Sequence, residues 1–230
     1  MRPLHHALPP RLRTRHWGCI LALCSLLGGA QATETLPAPA PFVERFADRS
    51  LLAQIQHGGF VLYMRHGTTD NRRADQAPRI DLSDCRTQRQ LNNAGRRMAV
   101  SVGQAMRQAK IPVTAVLYSP LCRARETAEL AFPAQRLHLQ PENNLAYSAN
   151  LTSEEKKPVL AATRKLLSTP VPAGSNLVVV AHAPNMADLI GYFVKPEGTV
   201  VVIRPLGDGR FEYVASIPPT LWAQLREPPP

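Results

Sequence analysis

Arg65, His66 and Gly67 follow directly on the apolar run Phe60-Val61-Leu62-Tyr63-Met64, and Thr68 and Thr69 come next. A buried strand that ends in a guanidinium beside an imidazole can act on an anion. Ser119 ends a second apolar stretch, "VTAVLYS", with Arg123 four residues on, and His182 follows a third, "NLVVVA". Two arginines can grip phosphate oxygens through charge-assisted forks. A histidine between them can attack phosphorus and become a phosphohistidine. A second histidine, protonated, can stabilise transition-state charge. Gly67 permits a close backbone approach, and Thr69 and Ser119 can bind substrate oxygens. The arginines supply the positive charge, so this pattern asks for no metal and no cofactor. Each residue also has a structural reading: either histidine can be a packed side chain, and Arg123 or Arg125 can pair with Glu126 or Glu129 at helical spacing. The conjunction of three strand ends in this order carries the chemical reading.

In an open α/β sheet, ligands bind outside the carboxyl ends of the strands. The chain has the alternation such a sheet needs. Helical spacing with a glycine stop predicts a helix over 43–57, and residues 60–64 a strand. Residues 68–91 are polar and rich in Arg and Asp, a long loop. Asn92 or Asn93 can cap a helix running to about 110. A strand at 113–119 is followed by a helix over 120–132 with Pro120 in its first turn. A short strand falls at 136–139, and Thr152 or Ser153 caps a helix to about 168. "NLVVVA" is an unbroken apolar run, which predicts a central, parallel strand. "PNMADLIGYFV" is helical in pattern. Two last strands form a hairpin around Gly207-Asp208-Gly209. The expected fold class is α/β: a doubly wound, mostly parallel sheet with helices on both faces.

The start of the chain differs in character. Arg2, Arg11, Arg13 and Arg15 precede the apolar run 20–27, no acidic residue occurs before Glu34, and Ala30-Gln31-Ala32 is a small-x-small site. These features predict a signal peptide over 1–32, with a membrane anchor or an ordinary apolar helix as alternatives. Residues 33–42 are a Pro/Ala-rich linker, and 43–230 form one domain. Export implies a periplasmic or secreted protein with no membrane span once the signal is cleaved. Removing residues 1–32 takes away four arginines and lowers the net charge from +10 to +6. That surplus lacks the Lys/Arg runs of a nucleic-acid tail. Arginine dominates over lysine, which favours anionic partners. Of the four cysteines, Cys85 and Cys122 remain, as one disulfide or two separate buried thiols.

The strand-"RHG", strand-"SPLCRARETA", strand-"AH" series resembles the histidine phosphatase superfamily, whose fold is phosphoglycerate mutase-like. The resemblance spans residues 61–204. It implies that Arg65 clamps phosphate, that His66 is the nucleophile, that Arg123, opening an "RA-x-x-T" pattern, is the second clamp, and that His182 is the second histidine. It also implies a general-acid glutamate in a "Leu-x-Glu" segment. Here Leu145 is followed by Ala146-Tyr147, with no glutamate in that place. Glu142, Glu154, Asp70, Asp81, Asp84 and Glu197 are the other carboxylates to consider, Glu197 foremost because it opens the strand after the His182 helix. By position, a Cys85–Cys122 disulfide would tie the loop after "RHG" beside the phosphate site. The resulting expectation is a metal-independent phosphatase acting on phosphate monoesters, either phosphorylated small molecules or envelope glycans. A non-catalytic binder of anionic envelope ligands is the alternative. A nucleic-acid partner is disfavoured by the lack of an aromatic-basic motif. Oligomeric state and substrate are left open by the sequence.

Overall fold

The computed structural model describes residues 41–133 and 137–227 of the chain. The expected signal peptide, and all of the linker but its last two residues, lie outside the described residues. Six strands form one sheet in the order β3-β2-β4-β1-β5-β6. They are β1 (Val61–Arg65), β2 (Val113–Tyr118), β3 (His138–Pro141), β4 (Asn176–Ala181), β5 (Val200–Gly207) and β6 (Arg210–Ile217). β4 lies between β1 and β2 and is parallel to both, and β2 is parallel to β3. The closing hairpin β5-β6 is added antiparallel to β1. The sheet is therefore mostly parallel, as its apolar central strands predict.

Side chains alternate across this sheet with the period of two that any strand imposes. Leu62, Met64, Val178, Val180, Val200 and Val202 face one core; Val61, Tyr63, Val179, Ala181, Val201 and Ile203 face the other. The first face is covered by α1 (Arg49–Gln56), α2 (Asn93–Gln108), α3 (Cys122–Ala131) and α6 (Leu221–Arg226) through residues such as Ile55, Met106, Ala128 and Trp222. The second is covered by α4 (Ser153–Ser168) and α5 (Ala183–Ile190), through Leu167 and Met186. A strand buried on both faces reads as continuous apolar sequence, which is why β1, β4 and β5 were legible.

Local chemistry sets the helix ends. Asn92 accepts the Gly95 N–H at 2.8 Å and starts α2. Thr152 and Glu155 form a reciprocal capping box on α4. The expected helix over 43–57 begins later, because Asp48 accepts the Leu51 N–H at 2.8 Å and caps α1. The residues before it are extended and run beside β6, with Ser216 N–H donating to Arg45 O at 2.7 Å. Pro120 lies just ahead of α3 rather than in its first turn. α5 stops at Gly191, whose φ of 74° is left-handed, so Tyr192, Phe193 and Val194 leave the helix. β3 is displaced by two residues toward the C-terminus, and α6 was not anticipated.

One close approach shapes the site. A Cβ on Gly67 would meet Gly95 O at 2.6 Å, and a Cβ on Gly95 would meet Thr68 O at 2.0 Å. The glycine of "RHG" is thus required where the loop presses on the first turn of α2.

Candidate active site

The side chains that could do chemistry gather at the carboxyl ends of β1, β2 and β4. Parallel pairing does this directly: His66 N–H donates to Ala181 O at 3.0 Å, and Ser119 N–H donates to Val180 O at 2.9 Å. The Tyr63 hydroxyl donates to His182 O at 2.7 Å and accepts the His182 N–H at 3.1 Å, locking the second histidine to β1. The two imidazole rings stand edge to face, 5.3 Å between centroids. His66, His182 and Arg123 are buried.

A carbonyl partner defines the tautomer of His66. His66 Nδ1 lies 2.8 Å from Gly67 O. A carbonyl only accepts, so Nδ1 carries the proton and Nε2 keeps its lone pair. His182 Nε2 lies 2.7 Å from Ser119 Oγ, and its buried Nδ1 has no partner among the described residues. Burial first, then the charge of Arg123, holds both imidazoles well below 6.5, with Arg65 and Arg89 adding to the effect. The buried surroundings of His182 thus favour its neutral form.

The sign of the pH dependence follows. An unfolded histidine titrates near 6.5, the folded pair well below it, so between these values the unfolded chain holds more protons. Above about pH 7 neither group affects stability; as pH falls below about 6.5, stability is lost at up to about 1.4 kcal/mol per pH unit for each histidine. Urea midpoints measured between pH 7.5 and 5 should drop accordingly, before the carboxylates begin to titrate.

Arg65 and Arg123 are each held by a carboxylate and keep buried donors without a partner among the described residues. Arg65 Nη1 donates to Val194 O at 2.7 Å and Nη2 to Glu197 Oε1 at 3.3 Å. Arg123 Nη1 donates to Asp75 Oδ1 at 2.9 Å. Arg65 Nε, Arg123 Nε, Arg123 Nη2 and Arg89 Nε are buried with no partner among the described residues. Such a convergence of buried N–H groups and positive charge suits a phosphoryl group.

The sequence reading located Arg65, His66, Arg123, His182 and Glu197, and the fold brings all five together. Glu197 holds Arg65 and accepts from Thr69 Oγ1 at 3.4 Å. Ser119 and Thr69 serve His182 and Glu197 respectively. The other carboxylates are elsewhere. Asp70 is held down to about 2 by hydrogen bonds from Arg72, Asp81 and Asp84 close turns of the same loop, Glu142 caps a 3₁₀ turn, and Glu154 pairs with Lys157. Four residues were missed: Asp75, Arg89, Thr127 and Tyr147. Thr127 closes the "RA-x-x-T" pattern. Its Oγ1 donates to Arg123 O at 2.7 Å and accepts the Gly67 N–H at 3.0 Å, so it couples the two motifs. Asp75 and Arg89 lie in the long loop, where no periodicity marks them, and the Arg89 N–H donates to Asp75 Oδ1 at 2.8 Å.

That loop is fastened to α3. Cys85 and Cys122 are disulfide-bonded, with 5.7 Å between Cα atoms and 37 residues of separation. Buried Gln88 accepts the Cys122 N–H at 2.8 Å. Closing a loop of this length stabilises the fold by about 4 kcal/mol. A Cys85→Ala/Cys122→Ala variant should lose roughly that much in denaturant unfolding, and its affinity for phosphate analogues should fall because Asp75 and Arg89 ride on the freed loop.

Two histidines and several arginines thus stand at the strand ends of a mostly parallel α/β sheet. Residues 61–150 match the model of the histidine phosphatase superfamily (branch 1). Among solved structures, the chain is similar to the protein histidine phosphatase SixA complexed with tungstate, at 16% identity and TM-score 0.47, covering 70% of this chain and 97% of that one. A mycobacterial glucosyl-3-phosphoglycerate phosphatase complexed with VO3 gives 18%, 0.47, 68% and 97%. Bacillus stearothermophilus YhfR gives 16%, 0.44, 68% and 95%. No curated protein matches the chain.

Proposed function

We propose that the chain is a metal-independent phosphatase that hydrolyses phosphate monoesters through a phosphohistidine on His66. The observation that supports this most is the His66 tautomer. Its Nδ1–H is committed to Gly67 O, which leaves Nε2 as a nucleophile beside unpartnered donors of Arg65, Arg123 and His182. In the first step Nε2 attacks phosphorus while the arginines and the His182 Nδ1–H hold the equatorial oxygens, where charge accumulates. In the second, water hydrolyses the phosphohistidine. Charge neutralisation falls to guanidinium groups, and the two carboxylates nearby, Glu197 and Asp75, are each engaged by an arginine.

The predicted signal peptide supports a periplasmic or secreted location, where a disulfide persists. Phosphorylated small molecules and envelope glycans are the substrates that fit this location. No helix among the described residues is long and apolar enough to cross a membrane.

The test is hydrolysis of p-nitrophenyl phosphate by the chain from residue 33 onward, with and without EDTA. Activity that survives EDTA and goes with phosphate on His66 supports the proposal. Vanadate binding without turnover would replace it with the non-catalytic binder of anionic ligands.

Arg89 gives a second check. Its charge acts on His66, His182, Arg65 and Arg123 together. A hydrogen bond between charged groups contributes about 1.5–3 kcal/mol, so Arg89→Ala should lower kcat/KM by about 10- to 150-fold, and Arg89→Lys by less.

A further inference from the structure

We propose that the Tyr147 hydroxyl is the proton donor to the leaving-group oxygen, in the place where the family resemblance leads one to look for a glutamate. The inference rests on the phosphatase reading above and assigns the step that reading leaves without a residue.

Tyr147 belongs to no long element, yet its backbone is fixed on both sides. Asn185 of α5 donates from Nδ2 to Ala146 O at 2.8 Å and accepts the Ser148 N–H at 3.4 Å. Ser148 Oγ donates to Asp188 Oδ2, also on α5, at 2.6 Å. α5 is the helix that starts immediately after His182, so Tyr147 is registered to the second histidine. Its ring meets His182 edge to face with 5.1 Å between centroids, and lies 4.8 Å from the Arg123 guanidinium carbon. The ring is half-buried, and no hydrogen bond from its hydroxyl to another described residue is present.

The rival donors are occupied. Glu197 accepts from Arg65 and Thr69, and Asp75 accepts from Arg123 and from the Arg89 N–H. Both carboxylates serve as acceptors for groups that must stay in place. Tyr147 is a donor on the crevice wall with nothing else to do.

The chemistry balances in two steps. His66 Nε2 forms a bond to phosphorus as the bond from phosphorus to the ester oxygen breaks. The leaving oxygen takes the Tyr147 proton and departs as an alcohol. The negative charge left on the phenolic oxygen faces Arg65 and Arg123. Water then attacks the phosphohistidine; its oxygen bonds to phosphorus, the bond to Nε2 breaks, and its proton returns to Tyr147. Phosphate leaves and the starting state is restored.

The experiment compares Tyr147→Phe, Tyr147→Ala and Glu197→Gln with the wild type on p-nitrophenyl, phenyl and alkyl phosphates. Tyr147→Phe keeps the ring over Arg123 and removes only the proton. General acid catalysis contributes about 10²- to 10⁴-fold, so Tyr147→Phe should lose that much kcat on an alkyl phosphate. The loss should shrink steadily as the leaving group improves and be smallest for p-nitrophenol. An equal loss on all three substrates, or a loss of vanadate binding, would assign Tyr147 a positioning role and overturn the proposal. Full activity of Tyr147→Phe on alkyl phosphate would overturn it too, as would a leaving-group-dependent loss confined to Glu197→Gln. A wild type inactive on p-nitrophenyl phosphate would instead remove the phosphatase reading on which the proposal stands.

Discussion

His66→Ala is expected to reduce kcat/KM on p-nitrophenyl phosphate by about 10⁴-fold or more, since removing a nucleophile abolishes the covalent route and leaves only binding and positioning. Acid quench of the wild type during turnover should trap phosphate on a histidine, and the variant should carry none. The expectation is large because the scaffold spends several interactions on this one ring. Gly67 O fixes Nδ1, Thr127 fixes Gly67, and the contact of Gly67 with Gly95 fixes the loop itself. Folding of the variant is checked by vanadate affinity, because Arg65, Arg123 and His182 still present their donors. A His66→Ala protein that retained more than about a hundredth of wild-type activity would mean that the nucleophile is another group.

Asp75→Ala is expected to cost as much stability as loss of the disulfide. Arg123 has no exposed side-chain surface and Asp75 only 8%. Breaking one partner out of a buried pair leaves an uncompensated charge, which costs about 3–5 kcal/mol. At this chain length that corresponds to a fall of roughly 10 °C in Tm. The loss goes beyond the pair, because Asp75 also holds the Arg89 N–H and so stitches two stretches of the long loop together. Phosphate should restore part of the lost stability, since an anion at the site supplies the missing countercharge and binding to the folded state adds stability by mass action. Thermal melts of wild type and variant in phosphate-free and phosphate buffer would test both effects. A variant that melts within about 2 °C of the wild type would show that Arg123 finds another countercharge.

Much of the fold could be read locally. The central strands β1 and β4 are apolar on both faces, so their sequence announces them without reference to any partner. The starts of α2 and α4 are set by Asn92 and by Thr152 with Glu155, pairs three residues apart in the chain. Reading failed where a longer-range contact overrode a local pattern. Residues 43–47 have helical spacing, but Arg45 and Ala47 bond to Ser216 across the sheet edge. "GYFV" continues the apolar pattern of α5, but Gly191 turns the chain left-handed and sends Tyr192 into the second core.

The candidate site divides along the same line. Arg65, His66, Arg123 and His182 were legible because each falls at a strand end or in the first turn of the following helix, and parallel pairing then brings strand ends together. The roles of the neighbours were not. Glu197 was visible as a carboxylate, but that it clamps Arg65 depends on how the turn before β5 folds over β1. Asp75 and Arg123 stand 48 residues apart, Arg89 lies in a loop without periodicity, and Tyr147 reaches His182 only because α5 fixes the segment around it. By itself, then, the sequence determined the class of sheet, its chemical strand ends and the histidine-arginine set, since periodicity and caps act within a few residues. Only the tertiary structure decided which carboxylate partners which arginine, which imidazole nitrogen is left free and which ring packs against His182. Those depend on packing between segments whose separation along the chain leaves no local pattern.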